Sequence, residues 1–474
     1  MDLERLIEAL APTDVVLRAA VEVRDLVYDA RNAEPGALFF CVPGTRADGH
    51  DFAADAVARG AVAVVVERPL EVAVPQLVVR SARAAMSTAA DVFFREPTRE
   101  LQVVGVTGTT GKTTTTFLLH SILSVAGRRP GLVGTVEARV GGERVKLERT
   151  TPEAIDLQRL FRAMLDAGDR SCAIEASSHA AELGRLDGTR FAALVFTNLT
   201  HEHLDFHGTM ERYFDAKRRL FAPGVPAAIN VADAYGARLA AELPGALTFG
   251  FATEAEVRPE RIELDREGAR FRAAGIELRS RLRGRFNVEN VLAAVAAARL
   301  LRVEDDAIAA GVEALRGVPG RFETVEEGQP FAVVVDYAHK PDALANVLRA
   351  ARAIGDGRLI CAFGCGGDRD REKRPLMGKV ATELADVVIV TSDNPRSEDP
   401  QAIVDEILAG TIGEVYVELD RRAAIQGAIE AAREGDVVVI AGKGHEQGQE
   451  LAGEVHPFDD REVAREALRR LVPA

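Results

Sequence analysis

The run Gly105-Val106-Thr107-Gly108-Thr109-Thr110-Gly111-Lys112-Thr113-Thr114 collects the residue types that hold a phosphate. Glycines let backbone N–H groups turn toward an anion, and a helix starting at once adds its positive end. Lysine reaches phosphate oxygens, and the hydroxyl after it can ligate Mg²⁺. Gly108, Thr109, Thr110, Gly111, Lys112, Thr113 and Thr114 are therefore expected on the phosphates of ATP. Valine stands at 106, where the general Walker pattern wants glycine. A glycine-rich turn with no ligand is the bland alternative, and the Lys-Thr pair between a strand and a helix speaks against it.

Two further segments carry polar groups at the ends of apolar runs, where ligands of α/β sheets sit. Cys172-Ala173-Ile174-Glu175-Ala176-Ser177-Ser178-His179 ends in an acid, two hydroxyls and an imidazole. Taken alone, Glu175 fits a ligand role and a helix cap equally well. Thr197 to Gly208, with His201, His203, Asp205 and His207, concentrates possible metal ligands. The zinc-hydrolase spacing His-x-His-x-Asp-His fails, because Phe206 separates Asp205 from His207. Mg²⁺ with ATP is the expected metal, with His203 a candidate ligand and His201 and His207 read as surface or structural residues.

These segments need strands and helices to place them, and the pattern supplies both. Val103-Val104-Gly105-Val106 reads as the strand entering the phosphate loop and Thr115 to Val125 as the helix leaving it. Before them, Ala37-Leu38-Phe39-Phe40 and Ala61 to Val66 alternate with amphipathic stretches such as Phe52 to Arg59. The pattern breaks near Arg95-Glu96-Pro97-Thr98 and again at Gly317-Val318-Pro319-Gly320. Beyond that, the runs Val333 to Val335, Leu359 to Phe363, Val387 to Val390 and Val437 to Ile440 are separated by helix-length segments. The expected fold is α/β with parallel or mixed sheets, in three domains: 1–98, a central P-loop-type ATPase domain at 99–318, and a Rossmann-like domain at 319–474.

Bulk properties bound the function. The 474 residues are 47% hydrophobic and 28% charged, the balance of a folded chain with several cores. A net charge of −14 argues against nucleic-acid binding, which needs basic stripes. Cys41, Cys172, Cys361 and Cys365 each adjoin an apolar run and read as buried thiols, a zinc pair being the weaker rival. The N-terminus lacks a signal pattern and no apolar run reaches membrane-spanning length. A cytoplasmic enzyme, not membrane-bound and monomeric, is the expectation.

Gly-Thr-Thr-Gly-Lys-Thr, Glu-Ala-Ser-Ser-His, Asn-Leu-Thr-x-x-His-Leu-Asp and Tyr-x-x-Ala-Lys stand in the order and spacing of a Mur ligase central domain. Asp48-Gly49-His50-Asp51-Phe52, Gly284 to Asn290, Val318 to Glu323, Asp336-Tyr337-Ala338-His339 and Gly364 to Asp370 extend the likeness over nearly the whole chain. The sequence resembles the tripeptide-synthetase branch of the Mur ligases. It departs from that branch at Asp29-Ala30-Arg31, where serine is usual and its hydroxyl is credited with touching uridine, and at Glu202 and Lys340.

The resemblance implies ATP-dependent amide synthesis through an acyl phosphate, in the making of peptidoglycan precursors for cell wall, shape and division. It implies Lys112, Glu175, His203 and Lys217 as catalytic residues, with Thr113, Glu175, His203 and a carbamylated Lys217 around Mg²⁺. Composition alone would make Lys217 an exposed helix lysine. Asn287, Arg321 and Asp336 resemble the residues on adenine, ribose or phosphate. Thr150, Thr151, Ser177 and Arg185 resemble those lining the site for the substrate UDP-MurNAc-L-Ala-D-Glu. A site assembled from separate domains implies an open state that closes on ligands.

The incoming amino acid is read from Thr391-Ser392-Asp393-Asn394-Pro395-Arg396, at the end of a strand. meso-Diaminopimelate carries a second carboxylate that lysine lacks, and arginine's planar fork suits it. By resemblance to the diaminopimelate-adding enzymes, Asp393, Asn394, Pro395 and Arg396 join Arg369, Gly442 and Glu446 in that pocket. Arg396 paired with Glu398 or Asp399 on the surface is the structural alternative. An L-lysine-adding relative, a folylpolyglutamate synthetase-like ligase and a non-enzymatic ATP switch are the rival functions.

Overall fold

The computed structural model describes residues 1–44, 47–265 and 267–471. Contacts divide the chain into two units, residues 1–112, 123–247 and 297–303 in the first, and 113–122, 248–296 and 304–474 in the second.

The first unit is built on two sheets. One runs in the order Asp14–Val16, Gln76–Val78, Ala63–Val66, Ala37–Phe40, Asp25–Val27, parallel but for the first pair. Its inner strands Ala37–Phe40 and Ala63–Val66 are unbroken apolar runs, every residue buried, because both faces are covered. On one face the helix Ala82–Phe93 contributes Ala82, Met86 and Ala89, and the helix Ala154–Asp166 adds Ala154 and Ile155. The other sheet has Gln102–Thr107 at its centre, paired in parallel with Ser171–Glu175 on one side and Phe191–Phe196 on the other. Pro130–Val133 follows beyond Ser171–Glu175. Register sets Glu175 opposite Val106, and Phe196 opposite Thr107. The loops that follow these strands therefore leave from one edge, which is where the motif residues lie.

The second unit holds an antiparallel meander, Pro259–Asp265, Gly268–Ala273 and Ile276–Ser280, and a larger sheet. That sheet runs Glu323–Thr324, Ala332–Asp336, Val437–Ala441, Leu359–Phe363, Val387–Val390, Tyr416–Val417, parallel except for its first strand. Asp336, Phe363 and Val390 end level with one another. A buried ion pair fastens this edge from below. Arg421 and Asp460, each fully buried, form two bonds of 2.8 and 2.7 Å, and the same guanidinium donates to the carbonyls of Ser392 and Ala441. Asp460→Ala strands a buried cation and is expected to cost about 3–5 kcal/mol. A lowered urea midpoint checks this, and an unchanged midpoint would contradict it.

All four cysteines are buried thiols with no disulfide, as their apolar settings predict. Among the described residues no helix is long and apolar enough to cross a membrane.

Candidate active site

In the first unit the loop after Gln102–Thr107 is held in shape before any ligand arrives. Gly108 stands at φ 145°, and a Cβ there would lie 1.9 Å from Thr197 Oγ1, so the loop can pass only as glycine. Thr197 Oγ1 donates to the Thr110 carbonyl at 2.7 Å, and the Asn198 side chain accepts from Thr110 N at 2.9 Å. Thr109 Oγ1 accepts from Thr200 N at 2.9 Å and meets the Tyr213 hydroxyl at 3.1 Å. Lys112 is folded onto its own loop, its Nζ donating to the carbonyls of Gly108 and Thr109 at 2.9 and 2.8 Å. Lys217, on the helix Met210–Arg218, is 1% exposed and donates to the same Gly108 carbonyl at 2.8 Å. The expectation of an exposed lysine, drawn from composition, is thus overturned: Tyr213, Phe214 and Ala216 of the same helix are buried with it.

Glu175 does not cap the helix that follows it. Ser177 does so, accepting from Ala180 N, while the Glu175 carboxylate accepts from Thr135 N at 2.8 Å and Thr135 Oγ1 at 3.0 Å. Thr135 Oγ1 reaches Thr150 Oγ1 at 3.0 Å, and Thr151 Oγ1 bonds the Glu175 carbonyl at 2.6 Å and Ser177 Oγ at 3.2 Å. Arg185 Nη1 donates to the Thr151 carbonyl at 3.3 Å. Thr150, Thr151, Ser177, Glu175 and Arg185 are thereby brought into one polar chain. Burial pulls the Arg185 pKa below its ordinary value, against the attraction of Glu153. His203 sits at φ 55° beside Glu202, 3.2 Å away, with its ring 4.7 Å from that of His179. His207 is buried on Ser178 Oγ at 3.0 Å, and burial, with His179 and Lys217 adding, holds its pKa down to about 4. A structural role fits it, while His201 is exposed.

In the second unit Thr113 is 4% exposed and its Oγ1 accepts from Arg321 Nη2 at 3.1 Å, and Thr114 is buried beside it. Arg321 and Asn287 line one cleft of about 690 Å³ with Arg279, Arg281, Arg283 and Arg316. So many cations in one cleft suit a polyanion. Asp336 accepts from the backbone N–H of Phe322 and Ala338 at 2.6 and 2.7 Å, fixing the segment that carries Arg321. Burial pushes its pKa up to about 6, against the pull of Arg321.

At the strand ends of the same unit, Asn394 Nδ2 donates to Glu446 at 2.8 Å, and the fully buried Lys443 joins both, at 2.7 Å to Asn394 Oδ1 and 3.2 Å to Glu446. Lys443 also stands 3.6 Å from Asp393, and a Cβ on Gly442 would meet the Asp393 carboxylate at 2.9 Å. Buried Pro395 gives its carbonyl to the turn at Glu398. Arg396, at φ 54°, donates from Nε to Glu450 at 3.1 Å and from Nη1 to the Gly367 carbonyl at 2.6 Å. Its partner is therefore not Glu398 or Asp399. Glu398 belongs to the buried Arg374, whose two bonds hold its pKa down to about 2. Arg369 is exposed, and its side chain flanks Gly366 across from Arg396.

Sequence reading missed Thr135, Glu153, Asn198, Tyr213 and Lys443 as site-builders. Gly442-Lys443-Gly444 at the end of an apolar run was a usable signal for the last, and Asn198 lay inside a motif already noted. Thr135 carried none.

A mononucleotide-type loop at the edge of a parallel sheet, with a second α/β sheet presenting its own polar edge, is the architecture of a nucleotide-binding protein. Three family descriptions match along the chain: "Mur ligase family, catalytic domain" over 22–100, "Mur ligase middle domain" over 106–298 and "Mur ligase, glutamate ligase domain" over 320–444. The chain belongs to the Mur ligase family and is an ATP-dependent, amide-forming ligase. It is 49% identical over 466 residues to the UDP-N-acetylmuramoyl-L-alanyl-D-glutamate--2,6-diaminopimelate ligase of Solibacter usitatus, covering 95% of this chain and 94% of that one. To the Bacillus cereus ligase of the same name it is 42% identical, over 99% and 98%. A solved structure of a ligase of that name superposes with a TM-score of 0.68 at 35% identity, over 95% of each chain.

Proposed function

We propose that this ligase joins meso-2,6-diaminopimelate to UDP-N-acetylmuramoyl-L-alanyl-D-glutamate, in the cytoplasm and as a monomer. The single observation that carries this reading is the loop Asp393-Asn394-Pro395-Arg396, set at a strand end and locked to Lys443 and Glu446. The proposed division of labour follows the three segments: 1–98 for the UDP end, 99–318 for ATP, 319–474 for the incoming amino acid.

A carboxylate is a poor electrophile. One of its oxygens takes the γ-phosphoryl group of ATP, ADP leaves, and the amine of the incoming amino acid then attacks the acyl carbon, expelling phosphate and losing a proton. Lys112 balances charge on the transferring phosphoryl group, with the N–H groups of the Gly108–Gly111 loop around it. Thr150, Thr151, Ser177 and Arg185 orient the nucleotide-linked substrate. Asn287, Arg321 and Asp336 serve the nucleotide.

Oxygen donors of the right kind for Mg²⁺ are present in Thr113 and Glu175, and among the described residues no group of three or more His, Cys, Asp and Glu side chains forms a cage. Mg²⁺ held by such oxygens would neutralise phosphate charge. Carbamylation of Lys217, buried with its ammonium on a carbonyl, would give a second anionic oxygen group; Lys217 and His203 both stand against the Tyr213 ring.

The test is ADP release with UDP-MurNAc-L-Ala-D-Glu and a panel of amino acids. Release that requires meso-diaminopimelate is expected, and release indifferent to the amine would remove the proposal.

A further inference from the structure

Glu153 occupies the N-cap position of the helix Ala154–Asp166 without capping it. Short side chains such as Ser, Thr or Asp serve there because their oxygens reach the free N–H groups. Glutamate at this position turns its carboxylate elsewhere, and three arginines meet it. Arg83 Nη1 donates to Oε2 at 3.1 Å, while Arg149 Nη1 and Arg185 Nη2 approach Oε1 at 2.9 Å each. The carboxylate is 7% exposed, and the arginines 28%, 49% and 12% in the same order. They come from three places: the helix Ala82–Phe93, the loop before Thr150, and the turn after the helix Ser178–Glu182.

A single carboxylate cannot neutralise three guanidinium groups, so a surplus of positive charge remains beside the Thr150, Thr151 and Ser177 hydroxyls. Asp156, an acid whose field reaches Glu153 and Arg149, accepts from the Tyr28 hydroxyl at 2.7 Å, and burial raises its pKa. Arg185 is the most enclosed of the three. Its Nη groups are committed to Glu153 and the Thr151 carbonyl, and its buried Nε has no hydrogen-bond partner among the described residues. A buried donor left open costs free energy unless something completes it.

We infer that Glu153 is a positioning residue: it gathers Arg83, Arg149 and Arg185 into a cradle for an anionic group of the nucleotide-linked substrate and aims the open Nε of Arg185 into it. This rests on the proposal that Arg185 faces that substrate. The anionic group is a phosphate or a carboxylate, both of which the substrate carries.

The physical alternatives predict opposite signs. If Glu153 were only a counter-charge, Glu153→Gln would raise the local positive potential and tighten anion binding. If it positions, the neutral amide can no longer hold three guanidinium groups, which repel one another and scatter. The expected result for Glu153→Gln is a KM for UDP-MurNAc-L-Ala-D-Glu raised about tenfold, with the KM for ATP within twofold of wild type. Arg83→Gln removes one arm from outside the loop and should raise the same KM about threefold, giving a second measurement should Glu153→Gln fold poorly. A substrate KM that is unchanged or lower in both variants overturns the inference, as does an equal rise in both KM values. Arg185→Ala separates this from the reading beneath it: if that variant leaves the substrate KM unchanged, the substrate assignment itself fails. Calorimetry with UDP alone names the group, since UDP weakened in parallel points to the diphosphate and UDP unaffected points to a peptide carboxylate.

Discussion

Lys112→Ala is expected to lower kcat by about three orders of magnitude or more, in the range seen when a cation is taken from a phosphoryl-transfer site. The protein should remain folded. Lys112 is half-buried, and the loop it lies in keeps its other ties: Thr110 stays on Asn198, Thr109 on Thr200 and Tyr213. What disappears is a cation already poised on the Gly108 and Thr109 carbonyls of the proposed phosphate loop. ADP release in single turnover, with urea unfolding as the control for fold, checks this. Activity near that of wild type would sink the phosphate-cradle assignment.

Arg396→Ala is expected to cut kcat/KM for meso-diaminopimelate by about thirtyfold, near 2 kcal/mol, while the KM for ATP holds. A larger loss would follow from a bare buried guanidinium, but Arg396 already shares charge with Glu450. Its Nε and Nη1 edges are occupied and its Nη2 makes no hydrogen bond among the described residues, which leaves one face of the fork for a carboxylate. Lysine would bring an ammonium group into that space and no anion. Wild-type enzyme should therefore prefer diaminopimelate to L-lysine, and the variant should narrow the gap. Should wild type add L-lysine as readily, the pocket assignment is wrong and the ligase class alone stands.

Parallel strands buried on both faces are written as continuous apolar runs, and here they were legible end to end: Leu359–Phe363 and Val387–Val390 lie where the runs lie. The helix after the phosphate loop was read as starting at Thr115, yet it begins at Lys112. Four consecutive threonines are β-branched and weak helix formers by themselves, and their burial supplies what propensity does not. The meander Pro259–Asp265, Gly268–Ala273, Ile276–Ser280 went unread, although Ala269-Arg270-Phe271-Arg272-Ala273 and Ile276-Glu277-Leu278-Arg279-Ser280 alternate in and out as an antiparallel sheet with one covered face should. Side-chain partners were the least legible. The structural alternative for Arg396 paired it with acids two and three positions away, whereas its partner Glu450 is 54 positions on, brought in by the ribbon Gly448–Leu451 that bonds the Arg396 backbone. Lys217 could be placed in the interior only by knowing which face of its helix meets the sheet.

The carbonyl of Gly108 takes hydrogen bonds from two ammonium groups, Lys112 and Lys217, and a carbonyl oxygen has two lone pairs to offer. That makes this one amide a vibrational gauge. With a ¹³C label at Gly108, its stretching band should lie at low wavenumber while both donors are present and climb in separate steps as each departs. Phosphate drawing Lys112 forward would release one, and a carbamate on Lys217 the other. A difference spectrum would thus read the order in which the loop's charges are rearranged, without a substitution at a position where only glycine fits.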